Sequence, residues 1–318
     1  MTVLWLSAAL SAIAFSVATT VRGEVERAAT AADGVKGYFL ARGALQRALL
    51  WIQWTEFRNP DGTPRYWAPG VQRLHFQFPN GEADVDLIPE SAKLNVNTIR
   101  PEELFILLQA LGVEGGRASE IASAVIDWRT PAPQGLSEFD SHYMALTPSF
   151  RARHASIEEI EEVLLVKGMS PELFHGTYTR DGDGRLVART GLRDCLSVYP
   201  SGQVDVNFAN PAVLAAVGLP PDAVAQIVQV RRLQPFANTG QLQPLTAGFG
   251  PSAGRLTVGG GSIYTIRATA RLKLPNGQMS DLKRTIAAMV KFAPTTKDAP
   301  YHILRWYDQG ALSMGDLQ

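Results

Sequence analysis

Three acids fall close together in the middle of the chain: Asp127, Glu138 and Asp140. Carboxylate oxygens in one short stretch are the ligand type that a hard divalent cation such as calcium takes. Further on, Asp194 adds a fourth acid and Asp181-Gly182-Asp183-Gly184 has the look of a calcium-loop start. That start lacks the bidentate acid at its far end, where Arg189-Thr190-Gly191-Leu192 stands, so a plain turn is expected there. The five histidines, His75, His142, His154, His175 and His302, have no metal-ligand spacing, and no nucleophile and base stand in a catalytic arrangement. Gly259-Gly260-Gly261 precedes a strand and reads as a loop. The expectation is a protein that is not an enzyme. A membrane-bound hydrolase has no residues to name.

The elements that must position these residues begin with an uncharged run, MTVLWLSAALSAIAFSVATT. About 20 apolar residues are what a helix needs to cross a bilayer. The run continues into an amphipathic stretch that is expected to reach about Phe57 and to stop at Asn59-Pro60-Asp61-Gly62. Val21, Val25, Ala28, Ala32, Val35 and Phe39 recur at intervals of four and three, with charged residues off the stripe. That pattern is a seam for a partner helix or for the protein's own body, and Val25, Ala28, Ala32, Val35 and Phe39 are its candidate interface residues. Arg22 follows the span with nothing basic before it. Taken alone, that charge places the body in the cytoplasm.

Two hairpins flank the middle of the chain. Leu74, Phe76 and Phe78 alternate with polar residues, Asn80-Gly81 turns, and Ala83, Val85 and Leu87 return. Ile266 to Leu274 alternates likewise, turns at Pro275-Asn276-Gly277, and returns over about Met279–Lys291. Each hairpin has one apolar face, as an antiparallel sheet packed on a helix requires. Between them the period is helical. Pro101 opens a helix that Gly112 ends, 117–129 forms another, and Ser156 with Glu159 caps 157–166. Pro171, Pro211 and Pro221 open further helices.

This middle segment repeats itself. Leu94-Asn95-Val96-Asn97, Pro101 and Leu104 recur 110 residues later as Val204-Asp205-Val206-Asn207, Pro211 and Leu214. Gly112 and Ile121 then match Gly218 and Ile227 after a short gap, and a third, partial copy covers 157–174. The units read as helix-hairpin-helix (SAM-like) repeats. Such units can bind DNA when a turn of Gly-apolar-Gly presents backbone N–H groups to a phosphate. Here the turns are Gly112-Val113-Glu114, Gly168-Met169-Ser170 and Gly218-Leu219-Pro220, none with the second glycine. A packing module is the favoured reading. A membrane-tethered DNA-binding protein of competence type is the alternative. Thirty basic residues balance thirty acidic ones, so no nucleic acid partner is expected. A single cysteine, Cys195, excludes an internal disulfide and a cysteine-based zinc site.

Several of these stretches, in order, resemble one family. Val3-Leu4-Trp5-Leu6, Ala41 to Leu49, Lys93 to Thr98, Ala124-Val125-Ile126-Asp127-Trp128-Arg129, Glu162 to Met169 and Val204 to Asn207 are similar to the K-type minor pseudopilins of the type II secretion system, general secretion pathway protein K. The resemblance implies an α+β, pilin-like fold: a long N-terminal transmembrane and amphipathic helix packed on an antiparallel sheet, with a large inserted all-α domain. The expected division is 1–21 transmembrane helix, 22–92 pilin-like helix and first hairpin, 93–250 inserted helical domain, 251–292 strands completing the sheet, and 293–318 tail. The resemblance also implies a single pass through the inner membrane with the body in the periplasm, against the weak Arg22 signal. The implied partners are inner-membrane lipid and the I- and J-type minor pseudopilins, at a pseudopilus tip that caps or starts the fibre for export of folded proteins. Pilin-like proteins carry a leader and a glutamate at the fifth mature position. The K type lacks that glutamate, and no acid precedes Glu24 here. No basic leader stands before the apolar run, so an upstream start is expected. K-type proteins often bind calcium after the Asp-Trp-Arg element. In this chain Thr130-Pro131-Ala132-Pro133-Gln134 lacks those acids, which leaves Asp127, Glu138 and Asp140 as candidate calcium ligands.

Overall fold

The computed structural model describes residues 1–133, 135–199, 202–293 and 300–308. Helix α1 runs unbroken over Thr2–Gln53, roughly 78 Å at 1.5 Å per residue. It ends some four residues before the expected point. Trp54 and Phe57 leave the helical path and gather with Tyr66, their rings 5.0 and 6.1 Å from it. Residues 1–22 are exposed throughout, and the first buried residue is Gly37. The N-terminal part of α1 is long and apolar enough to cross a membrane.

Five strands form one antiparallel sheet in the order β1 (Arg73–Phe78), β2 (Gly81–Pro89), β3 (Ile263–Lys273), β4 (Met279–Phe292) and β5 (Tyr301–Tyr307). The strands alternate as their sequences demand. Ile266, Ala268 and Ala270 of β3 are buried under α1, while Thr265 and Arg267 face the other way. Gly37, Ala41, Ala44, Leu45, Ala48, Leu49 and Ile52 form the inward face of α1. The small residues bring the helix axis close to the sheet: a methyl group on Gly37 would stand 3.1 Å from Arg284 Cβ. Strand β5 departs from the expected tail at 293–318. Its Tyr-His-Ile-Leu-Arg-Trp-Tyr run is rich in aromatic and branched residues and pairs with β4. The remainder of that tail, 309–318, and residues 294–299 lie outside the described residues.

A second apolar core lies along the chain between β2 and β3, built around Leu104, Leu107, Ile121, Val125, Val213, Leu214 and Ile227. It contains α2 (Pro101–Ala110), α3 (Gly115–Arg129), α4 (Pro211–Ala216) and α5 (Pro221–Leu233). Residues 251–262, expected with the sheet, join this core instead. Leu256 is buried in it, and Leu256-Thr257 pairs in parallel with Val204-Asp205. The helix expected over 157–166 is a shorter 3-10 turn, Ile160–Leu165. Its cap is the Glu162 carboxylate, which accepts from the N–H groups of Glu158 and Glu159 at 2.9 and 3.1 Å.

The two cores meet through polar groups across a cleft of about 500 Å³. Gln72 donates to the Asn207 carbonyl at 2.7 Å, Thr265 donates to Glu90 at 2.8 Å, and Arg305 of β5 pairs with Glu159.

The two faces of α1 give opposite expectations. Ala44 is fully buried, so Ala44→Leu overfills the helix–sheet contact and costs about 1–3 kcal/mol. Phe39→Ala removes a large apolar side chain that is 60% exposed and changes stability by less than about 0.5 kcal/mol. Denaturant unfolding of the detergent-solubilised chain measures both. A larger loss for Phe39→Ala would mean that the wrong face has been assigned to the core.

Candidate functional site

The predicted seam of α1 is uncovered. Val25 is 62% exposed, Val35 56% and Phe39 60%, and Ala28 and Ala32 are exposed between them. The charged residues beside this stripe pair along the helix, Arg22 with Glu26 at 3.2 Å, Arg27 with Glu24 at 2.9 Å and Lys36 with Asp33 at 2.9 Å. Such exposed pairs add little to stability, but they leave the stripe itself free of charge. The protein's own sheet covers the opposite side of the helix, and only from Gly37 onward. The five seam residues therefore form one continuous apolar strip that runs on from the uncharged N-terminal segment of α1.

The repeat read in the sequence is a repeat of hydrogen bonds. In the first copy Asn95 accepts from the Asn97 N–H at 2.8 Å, and the Asn97 amide clamps both the N–H and the carbonyl of Ile157 at 2.8 Å. In the second, Asp205 accepts from the Asn207 N–H at 2.9 Å, and Asn207 clamps Phe236 in the same way, both bonds at 2.9 Å. A guanidinium closes each unit: Arg129 on the carbonyls of Val96 and Ile99, Arg231 on those of Val206 and Ala209. Gly112 and Gly218 end α2 and α4 with φ of 86° and 97°, the left-handed conformation that glycine adopts without strain.

The helix ends that would hold a phosphate are already taken. The Glu114 carboxylate accepts from Gly116 N and Arg117 N at 2.9 and 3.2 Å, filling the N-terminus of α3 with a negative charge. Those two backbone bonds hold its carboxyl below the ordinary value. At α5, Pro220 and Pro221 remove two donors. Arg189 lies against the Gly112 turn and donates to the Leu111 carbonyl at 3.2 Å. Arg117 caps the third turn at the Gly168 carbonyl, at 3.0 and 3.1 Å.

The candidate calcium ligands do not converge as a cage. Among the described residues no group of three or more His, Cys, Asp or Glu side chains is placed to hold a metal. Asp140 is buried, and both of its oxygens are engaged by the protein: Ser137 N at 2.9 Å, Ala152 N at 3.2 Å and His154 Nε2 at 3.0 Å. Asp127 accepts from Ser137 Oγ at 2.9 Å. Glu138 is exposed, and Asp194 sits apart in the turn Leu192–Asp194. Asp181 closes an ordinary turn, accepting from Asp183 N and Arg185 N at 3.0 and 2.8 Å. Cys195 is fully buried, which pushes its thiol pKa up and keeps it unreactive. Sequence reasoning passed over His154, because thirteen intervening positions separate it from its partner Asp140 and no motif spacing marks the pair. It also passed over Glu103, which looks like one more surface acid of α2. That carboxylate is buried, takes a hydrogen bond from Arg100 N at 3.1 Å, and pairs with Arg100 and Arg255. Burial raises its pKa, but the Arg100 hydrogen bonds and the charges of Arg255 and Arg100 outweigh burial and leave it lowered.

Two measurements follow from this framework. Asn97→Ala and Asn207→Ala each strand a backbone N–H and carbonyl, and each costs about 2–3 kcal/mol in chemical unfolding. A cost at only one position would contradict the equivalence of the two copies. For Glu103, a folded pKa below the ordinary 4.5 means that its stabilisation is present above pH 4.5 and is lost as pH falls through the folded value. Glu103→Gln costs about 2 kcal/mol at pH 7 and flattens the acid limb of the stability–pH curve. An unchanged acid limb would show that Glu103 is not a linked group.

Comparison with known proteins agrees with this architecture. The family described as type II secretion system (T2SS), protein K, matches residues 88–176. The type II secretion system protein K of Klebsiella pneumoniae is 26% identical over 235 residues, 68% of this chain and 67% of that protein. A chain in the crystal structure of the GspK-GspI-GspJ complex from the enterotoxigenic Escherichia coli type 2 secretion system shares the fold, with a TM-score of 0.56 at 17% identity over 86% of this chain and 95% of that one. The long apolar helix on an antiparallel sheet, the ordered sequence stretches and these similarities agree, and together they show a chain similar to type II secretion system protein K.

Proposed function

We propose that this protein is a non-enzymatic minor pseudopilin that sits at the tip of a pseudopilus, with α1 crossing the inner membrane once and the body in the periplasm. There it caps or starts the fibre that moves folded proteins across the outer membrane. The observation that carries the reading is the strip Val25, Ala28, Ala32, Val35 and Phe39. It is apolar, lies on the side of α1 away from the protein's own sheet, and continues the membrane span. Exposed apolar strips of this length in a soluble compartment are surfaces awaiting a partner. Helices of sister subunits, each with its own anchor in the same bilayer, are the partners that can lie along it. The related chain from Escherichia coli was crystallised with GspI and GspJ, which supports I- and J-type subunits as the helices concerned.

In this reading the core between β2 and β3 is an inserted domain of helix-hairpin-helix type that serves packing. A nucleic-acid role is disfavoured by the Glu114 carboxylate and the two prolines at the helix N-termini. The competence-type alternative predicts a gel shift that weakens steeply with salt. The present reading predicts none.

The decisive test is mixing with the I- and J-type subunits. Val35→Asp places a carboxylate in an apolar interface and weakens association by several kcal/mol, on the order of a hundredfold or more, while the isolated chain keeps its melting temperature because Val35 is exposed there. Co-elution and calorimetry of the wild type and the variant give the comparison. Equal affinity, with the variant folded, would move the interface off this strip.

A further inference from the structure

The loop between α3 and the 3-10 turn Ile160–Leu165 contains two of the candidate calcium ligands, Glu138 and Asp140, and a histidine joins it to the end of α3, where Asp127 stands. His154 directs Nε2 to Asp140 Oδ2 at 3.0 Å and Nδ1 to the carbonyls of Thr130 and Asp127 at 3.1 and 3.3 Å. All three partners are acceptors. The ring therefore spans the gap between the Asp140 carboxylate and the end of α3. His154 also has a φ of 49°, a left-handed backbone that a residue other than glycine holds only where its surroundings over-determine it. Asp140 also accepts from Ser137 N and Ala152 N, and Asp127 is turned to Ser137 Oγ. A divalent cation needs six or more oxygens directed at one point. Here the carboxylates point at protein donors.

We propose that in this chain the side chain of His154, hydrogen-bonded on both sides, closes the acidic loop in the place where the resemblance implies calcium. The loop is thereby tied to the C-terminal end of α3 and to the aromatic pair Trp128 and Tyr143, whose ring centroids are 5.4 Å apart. Metal-independent closure of the loop is the consequence.

Two experiments on the full chain in detergent test it. The first measures bound calcium by elemental analysis and follows thermal unfolding with calcium or with a chelator. The expected result is no stoichiometric calcium and melting points that agree within about 1 °C. Bound calcium, or a rise of about 5 °C or more on adding it, overturns the proposal. The second follows amide exchange at Ser137 and Ala152 in His154→Asn, which tolerates the left-handed backbone but is too short to reach Asp140, and in Asp140→Asn. Protection at both amides falls by about tenfold or more, with protection in the sheet unchanged. Unchanged protection at both amides overturns the proposal. So does recovery of protection in His154→Asn on adding calcium, because the oxygens would then be shown to form a cation cage.

Discussion

The close approach of α1 to the sheet sets what the rest of the molecule can do. Gly37, Ala41, Ala44 and Ala48 present almost no side chain inward, and the sheet answers with Ala83, Ala268, Ala270 and Ala288. Small residues on both sides let the backbones come near, so that Leu45, Leu49 and Ile52 reach past them to Phe76 and Leu87. Burial at this depth uses one side of the helix only. A helix of 52 residues held on one side, and only over its C-terminal part, must find cover elsewhere for the rest. The first twenty or so residues are apolar enough and long enough to cross a bilayer, and the strip up to Phe39 is left exposed. Anchor, strip and core contact are three consequences of where small residues stand along one helix.

The helical core solves a different problem. It is assembled from short elements, some of only five or six residues, that could not hold themselves as isolated helices. Each repeat therefore pins its non-helical backbone with side-chain amides and a guanidinium: Asn97 with Arg129, Asn207 with Arg231. The side-chain amides of Asn97 and Asn207 bond to backbone groups, so the pattern withstands changes in the surrounding apolar residues and keeps the path of the chain fixed. The same framework reduces what the turns could offer a phosphate: Glu114 fills the N-terminus of α3, and Pro220 and Pro221 remove two donors at α5.

Much of this was legible in the sequence because it depends on local periodicity. The uncharged run, the alternation in both hairpins, the proline-opened helices and the repeat with Asn97 and Asn207 in register all fall where the pattern put them. What was not legible depends on contacts between distant residues. Strand β5 has no hairpin signal before it, because 294–299 precede it without a tight-turn pair. Residues 251–262 read as a lead-in to the sheet, yet Leu256 completes the second repeat's parallel bridge, a pairing across some fifty positions that no window can detect. The His154–Asp140 pair and the buried Glu103 were missed for the same reason. The sequence gives the residue types, but only the fold shows which acids face donors.

The polar seam between the two cores follows from these two constraints. One face of the sheet is consumed by α1. The other carries Arg73, Asp86, Thr265, Arg267 and Arg305, residues that would sit in water on a bare pilin-like sheet. The helical core meets this face through hydrogen bonds and ion pairs such as Gln72 with Asn207, Thr265 with Glu90 and Arg305 with Glu159, and the apolar clusters on either side stay separate. Contact of this kind adds little net stability, because desolvating charged groups offsets much of what their pairing contributes. Both faces of the sheet are thus engaged within the chain. Among the described residues, the longest run of exposed apolar side chains is on α1, and that helix is the surface the fold keeps open.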